Sequence, residues 1–338
     1  MRYASFVLFI IISIVAVPTI TAHVPLTAGD NESLETAAII TDPTKSWALY
    51  SELHHSGEAR YYLLNMEEGQ TLYASLFVPP KYYEEGFTPG LIIMGPGITS
   101  HGEVPSFVEV PPEADVMVVE NRYPRYPTYE PFTPSSLYSL AEARLTITTP
   151  GTYYLVVYDP SNEGHFGLAV GYREEFTLQE WILVPINVLG IHQWEGQSLF
   201  VILAPLLAIM SIGFVFLVVR RVSRGGSPQS AFGWVAAFAG LLFLGSSAIL
   251  FTQMIVALQE TSLVSEMIVT LIFIISPAVL GIVSLRMALK DHQEVVTRQR
   301  IIIAIIGVIS LFVWAGLLVG SILAILASIV PGRFLSTS

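Results

Sequence analysis

Leu199–Arg224 reads LFVILAPLLAIMSIGFVFLVVRRVSR, an uncharged run to Val219 followed by Arg220, Arg221 and Arg224. A helix needs about 20 apolar residues to cross a hydrocarbon layer of ~30 Å, so the stretch predicts a membrane span ending on a basic loop. Ala231–Leu258, Leu263–Leu285 and Ile301–Val330 meet the same requirement. The connection after the third carries Arg286, Lys290, Arg298 and Arg300, whereas the one around Gln259–Ser262 has no lysine or arginine. Basic residues gather in cytoplasmic loops. Four spans with this alternation place the 220–230 and 286–300 loops inside, and everything before Leu199 outside, together with the C-terminus beyond Val330.

What precedes Leu199 has the opposite character. Residues 23–197 hold 23 of the 27 acidic side chains and 7 of the 16 lysines and arginines, a net charge of −16. With 53% hydrophobic and only 13% charged residues overall, and no cysteine, the chain does not read as a single soluble domain, a disulfide scaffold or a nucleic-acid binder. Met1-Arg2, the apolar run to Val17, Pro18 and the small Ala22 have the layout of a signal peptide over residues 1–22. Residues 23–175 then form an exported domain large enough to stand on its own core. The expected setting is the plasma membrane, with the lipid bilayer and other membrane or envelope proteins as partners and no nucleic acid.

Between that domain and the spans at 198–338 lies an apolar segment, 176–197, too short to cross. Thr177 and Glu180 are spaced as a helix-capping box, and Pro185 is expected to bend or break the helix. Trp181 and Trp194 suit the headgroup boundary, so the segment is read as lying on the outer leaflet. Within the spans, Gln253 and Glu266 are the candidate polar site for a transporter or receptor function, and Gly316-x-x-x-Gly320 is a site of close helix approach.

Short runs rich in β-branched and aromatic residues recur through the acidic half at 47–53, 60–66, 71–78, 91–94, 116–120, 144–149, 152–158 and 166–172. Glycine, proline, asparagine and aspartate separate them. The pattern predicts an antiparallel β-sandwich or jelly roll, and with the helices an α+β membrane protein ending in a four-helix transmembrane bundle. Arg60–Val78 (RYYLLNMEEGQTLYASLFV), the strand at Leu91, and Pro150–Tyr172 (PGTYYLVVYDPSNEGHFGLAVGY) resemble the pre-peptidase C-terminal type of β-sandwich. That resemblance implies a noncatalytic accessory module on an exported protein. The insert between Met94 and Arg144 departs from it. The layout of leader, sandwich and four spans also resembles that of archaeal and fungal membrane protein families, which adds no mechanism.

The insert carries Tyr123, Tyr126, Tyr129 and Phe132 at every third position among prolines. In a polyproline II helix that spacing aligns four rings on one face, either a surface for a sugar or peptide partner or a cover for a sheet. No GxSxG, HExxH, Walker or dinucleotide fingerprint occurs. Cleavage after Ala22 would leave His23 as a new N-terminus, whose amine and imidazole together suit Cu(II). This resembles the mature end of histidine-brace copper proteins such as lytic polysaccharide monooxygenases and the exported subunit of particulate methane monooxygenase. A second ligand would come from His54, His55, His101 or His165. Asn31-Glu32-Ser33 is a glycosylation acceptor at Asn31. The reading that follows is a noncatalytic binding or accessory subunit at the cell surface, with a copper protein, for copper handling or oxidative chemistry, and a transporter or receptor as alternatives.

Overall fold

The computed structural model describes residues 23–26, 29–224, 228–290 and 296–330; the signal-peptide reading of 1–22 lies outside them. Eleven strands among these residues form two sheets. The strands are β1 (Val24–Leu26), β2 (Ala38–Ile40), β3 (Trp47–Leu53), β4 (Glu58–Met66), β5 (Thr71–Val78), β6 (Gly90–Gly95), β7 (Asp115–Val119), β8 (Thr128–Glu130), β9 (Ser135–Thr146), β10 (Gly151–Asp159) and β11 (Gly164–Val170), with a short helix α1 (Pro80–Glu84) after β5. The first sheet runs β1-β3-β11-β5-β9-β8 and the second β2-β4-β10-β6-β7.

Both sheets are mixed, which corrects the expectation of a purely antiparallel sandwich: β1 pairs parallel with β3, and β2 parallel with β4. The physical cause is placement. These two three-residue strands enter from loops and add to sheet edges, where no hairpin dictates direction.

Strand β5 shows how the core is made. Leu72, Ala74, Leu76 and Val78 are buried between the sheets, packed with Leu64, Leu91, Leu155 and Leu168, and Tyr73, Ser75 and Phe77 face the other way. The far face of the second sheet is covered by Val104, Phe107 and Val108, which pack on Tyr61, Ile92 and Val156. The insert therefore contributes a covering loop, two strands (β7 and β8) and most of β9.

The first sheet's outer face meets the helices. Helix α2 (Leu178–Trp194) follows with both halves of the predicted capping box: Thr177 Oγ1 accepts from the Glu180 N–H at 3.2 Å and Glu180 Oε2 from the Thr177 N–H at 2.7 Å. It is not broken at Pro185 but continues as one helix. A proline at 185 leaves the carbonyl of Trp181, four residues earlier, without its helical donor. That carbonyl accepts instead from the indole Nε1 of Trp314 at 3.0 Å. In return Trp181 Nε1 donates to the carbonyl of Phe312 at 3.1 Å, and the two rings lie 4.9 Å apart.

Three helices long and apolar enough to span a membrane come next: α3 (Leu199–Arg224), α4 (Ala231–Glu260) and α5 (Met267–Leu289). α4 and α5 cross back to back at Gly240 and Gly281, where a Cβ on either would come within 3 Å of the other's carbonyl oxygen. The fourth apolar stretch is not one continuous helix. It forms α6 (Thr297–Phe312) and α7 (Val319–Ile329), joined by a bend in which Trp314, Gly316, Leu317 and Leu318 all have positive φ. The 11 residues of α7 cover only about 16 Å.

The two pieces fold back antiparallel. Arg300 donates to the Ser328 carbonyl at 2.8 Å, Gly307 abuts Ile325, and the Ser310 hydroxyl donates to that of Ser321 at 2.7 Å. The chain thus returns to the end where α6 began, and Val330 shares that end with Arg300 rather than lying opposite it. Irregular backbone at membrane depth is tolerated when protein covers it. Val313, Trp314, Ala315 and Gly316 are all buried, and the Gly316 N–H donates to Ser246 Oγ of α4 at 2.8 Å. Gly316 and Gly320 both abut Phe243 of α4, so that glycine pair serves packing within the chain.

The Trp314→Phe variant strips the Trp181 carbonyl of its donor and is expected to cost about 1–3 kcal/mol. In a Pro185→Ala background the helix supplies its own donor, and the same change should cost measurably less. Equal losses in both backgrounds, read from unfolding midpoints in detergent, would refute the exchange.

Candidate functional site

A half-enclosed cavity of about 260 Å³ lies where the sandwich meets the helices. Its floor is the outer face of the first sheet. The alternation of β5 presents Tyr73, Ser75 and Phe77 to it, and β3 adds Tyr50. In β8 the same alternation divides three residues between two tasks: Tyr129 packs on Met254, Ala257, Met267 and Ile274, while its neighbours Thr128 and Glu130 line the cavity. α2 forms the opposite wall through Trp181, Val184, Asn187 and Val188, and Phe132 and Trp314 close one end. Two hydrogen bonds fix the β8 end. The Thr270 hydroxyl donates to the Pro131 carbonyl at 2.6 Å, which leaves the Tyr129 hydroxyl to donate to Thr270 Oγ1 at 2.8 Å.

Glu130 is the one carboxylate lining this space and no lysine or arginine lines it, among the described residues. Its Oε1 accepts from the Phe132 N–H at 3.2 Å. Burial pushes its pKa up to about 7, and the negative charge of Glu174 adds to the effect. His23, at the cavity's rim, shares a hydrogen bond of 2.5 Å between its Nδ1 and Ser46 Oγ, and burial lowers its pKa to about 4, so the ring is neutral at pH 7. Burial also raises the Tyr50 hydroxyl's pKa, with help from Glu130 and Glu195. The cavity therefore contains one acid poised near neutrality, surrounded by rings and neutral polar groups.

The candidate metal ligands are spread over the sandwich. His23 is at the cavity, and His54 and His165 line a separate open groove. His55 is exposed on the turn after β3, and His101 bridges to Met117 of β7 with its Nδ1 3.1 Å from the Thr99 carbonyl. The cavity brings none of the other four candidates to His23 among the described residues. Both amides of His54 and His55 donate to Glu58, because the chain turns there and does not continue as a strand.

In the groove Glu32, His54 and Glu58 approach closely enough to share an ion. Arg60 already occupies the centre, 2.8 Å from Glu32, 2.5 Å from Glu58 and 2.8 Å from His54 Nδ1. His165 pairs with Glu52 at 2.9 Å. A guanidinium with these carboxylates makes an ion-pair network whose own cation stands where a metal would go.

Asn31, the glycosylation candidate, is 1% exposed, and its Nδ2 donates to the Tyr61 carbonyl at 3.1 Å. The nitrogen that would carry a glycan is thus inside the fold. The four-ring stripe is divided as well: Tyr123 and Tyr126 are exposed, while Tyr129 and Phe132 are packed against the helices. Residues 128–130 are β-strand, with a period of two, so the rings do not share a face.

Trp194, expected at the headgroup boundary, makes its contacts with the first sheet. Its ring packs edge-on against Tyr50 and Phe77, and its Nε1 donates to the Ser51 carbonyl at 3.0 Å. α2 is consequently wedged between sheet and helices, with Leu183 and Ile186 left exposed along one side.

Gln253 and Glu266 are apart. Gln253 exchanges two 2.9 Å amide bonds with Gln197, and Glu266 sits at the solvent-exposed start of α5 beside Ser265. The sequence reading missed Glu130 and a buried pair, His192 Nδ1 with Glu195 Oε2 at 2.8 Å. The i,i+3 spacing of His192 and Glu195 on a helix was the available signal.

No protein-family model matches the chain, and no curated protein matches it, so the likeness of 60–78 and 150–172 to the pre-peptidase C-terminal module is one of strand pattern alone.

Glu130 makes stability depend on pH. Its folded pKa exceeds its ordinary 4.5, so its contribution is full below pH 4.5 and lost as pH rises through about 7. The shift corresponds to at most about 3 kcal/mol. His23 acts in the opposite sense, its contribution being full above 6.5 and lost as pH falls through about 4. Tyr50 and Tyr73, which share the cavity, titrate above this window. Glu130→Gln should therefore gain on the parent protein as pH goes from 5 to 8, by up to about 3 kcal/mol. Parallel melting curves at pH 5 and pH 8 would contradict this.

Proposed function

We propose that the chain is a membrane-anchored binding or accessory subunit whose β-sandwich faces away from the cytoplasm at the cell surface. The observation carrying this reading is the separation of charge along the molecule. α3 starts beside the sandwich and ends at Arg220 and Arg221; α5 ends at Arg286 and Lys290; α6 begins with Arg298 and Arg300. The acidic sandwich rests on the other ends of α4 and α5, through Tyr129 on Met254 and Met267. Basic ends held in the cytoplasm leave the sandwich outside. The expected export signal and plasma-membrane location agree with that arrangement.

Binding rather than catalysis is supported by the site itself. Among the described residues Glu130 has no second carboxylate in the cavity, and the one hydroxyl–imidazole contact at its rim, Ser46 Oγ with His23 Nδ1, has its hydroxyl buried and off the cavity wall, whereas general acid–base and covalent chemistry need accessible partners within hydrogen-bond reach. A seated sandwich with a ring-lined cavity suits recognition of a ligand or of a partner's side chain.

The absence of native cysteine allows a direct test. In intact spheroplasts a membrane-impermeant maleimide should label Ser56→Cys, and should label Lys290→Cys and Val330→Cys only after permeabilisation. Labelling of Lys290→Cys before Ser56→Cys would invert the orientation. Opposite behaviour of the cysteines at 290 and 330 would overturn the antiparallel α6–α7 hairpin.

A further inference from the structure

We propose that the cavity between the sandwich and α2 is a receptor for the quaternary or methylated ammonium group of an organic cation. Two independent observations meet there. The first is shape and chemistry: Tyr50, Tyr73, Phe77, Phe132, Trp181 and Trp314 all contribute rings to one space of about 260 Å³. Aromatic faces carry negative quadrupole charge, and cages of rings are a recurring means of holding such cations where water is largely excluded. The second is the carboxylate of Glu130, which lies inside the same space with a single amide donor and no lysine or arginine on the cavity wall among the described residues.

The other titratable groups facing Glu130 from the surrounding elements do not supply the missing charge. His23, next to β1, is neutral at pH 7; Tyr50 on β3 and Tyr73 on β5 are neutral phenols; α2 presents the uncharged Asn187. Glu174 adds negative charge. An anion or a second acid would be repelled, and a purely apolar ligand would leave the carboxylate unpaired, which is costly in a buried setting. A small cation without N–H donors matches both the rings and the charge, and the volume admits one compact headgroup rather than a long molecule.

Binding should also release a proton, because the cation favours ionised Glu130 and so lowers its pKa. The ligand chemistry has two sources: a free solute such as choline, or a phosphatidylcholine headgroup reaching the boundary where the cavity lies.

The inference deepens the binding-subunit reading and rests on it for physiological meaning, yet its test does not depend on membrane orientation. The full chain is purified in a maltoside detergent and titrated with tetramethylammonium and choline chlorides, with sodium chloride as the ionic control. Tryptophan fluorescence, to which Trp181 and Trp314 contribute among five tryptophans, and the heat of mixing report binding. Saturable binding of both cations is expected, at least tenfold tighter than that of 3,3-dimethylbutan-1-ol, the uncharged isostere of choline.

Glu130→Gln should weaken choline by tenfold or more, and raising the pH from 6 to 8 should tighten it in the parent protein only. In nanodiscs, a tenfold loss of choline affinity in phosphatidylcholine relative to phosphatidylglycerol identifies the lipid headgroup as occupant; equal affinity identifies the free solute. Absence of saturable binding in detergent overturns the proposal, as does equal binding of the uncharged isostere; neither comparison requires a variant. If the site fails while Ser56→Cys labels from outside, only the ligand assignment falls. If the site holds while the orientation inverts, the cell-surface reading falls instead.

Discussion

One carbonyl oxygen connects the parts of this molecule. Pro185 removes the helical donor of Trp181, and a buried carbonyl without a partner costs about 1–3 kcal/mol. The deficit is met from a distant part of the chain, by the indole of Trp314 in the bend between α6 and α7. That bend needs help of its own, because four of its residues sit at positive φ and the last carbonyls of α6 lack partners. The Trp181 indole supplies Phe312, and Ser246 receives the Gly316 amide. Each element satisfies a defect in the other, so α2 keeps its course and the hairpin keeps its bend only while they are in contact.

The position of α2 in turn determines what happens at the sheet. Trp181 fixes its start against Trp314 and Phe273, and Trp194 fixes its end against Tyr50 and Phe77, with Lys45 pairing to Glu180 at 2.7 Å. A helix held at both ends over a twisted sheet does not follow it closely in the middle. The cavity is the space left between them. Its chemistry follows from strand alternation: positions that cannot enter the sandwich core, Tyr73, Phe77 and Glu130, are the ones facing α2. A half-buried acid is costly to ionise, and Glu130 stands at a place where, among the described residues, neither sheet nor helix brings a lysine or arginine to the cavity wall.

The sequence disclosed the parts of this arrangement that depend on local periodicity. Strands 47–53 and 71–78 were legible to the residue as short runs rich in aromatic and β-branched residues, and the capping box at Thr177 because its two side chains lie three apart. The three spanning helices were legible from length and hydropathy alone. The break in the fourth stretch was not legible, for a physical reason. Hydropathy records that 301–330 is apolar, and that is equally true of one long helix and of a hairpin that packs one side on other helices; only backbone reversal at Trp314–Leu318 separates them, and Gly316 was its local sign. β1 and β2 were too short to show alternation, and β8 was hidden by prolines. Glu130 was invisible among 27 acids because its meaning comes from burial by residues far along the chain, Trp181 and Trp314 among them.

The same reasoning explains why a site lies at this junction and not within the sandwich. The space between the two sheets is filled by interlocking side chains such as Tyr62, Leu64 and Leu168, all fully buried, and closely packed interiors leave no room for a ligand. The helices bury small residues at Gly240 and Gly281, which brings their backbones together and likewise closes gaps. Only where a sheet meets a helical body do the two packing periods fail to match, since strands repeat every two residues and helices every 3.6. The mismatch leaves volume, and the residues bordering it are free of the demand to fill a core. In this chain that freedom is expressed as rings and one acid. A charge placed there is partly screened from water by the sheet on one side and α2 on the other, and Trp181 and Trp314 both line the space, so whatever binds Glu130 also reports on whether the Trp181–Trp314 contact is intact.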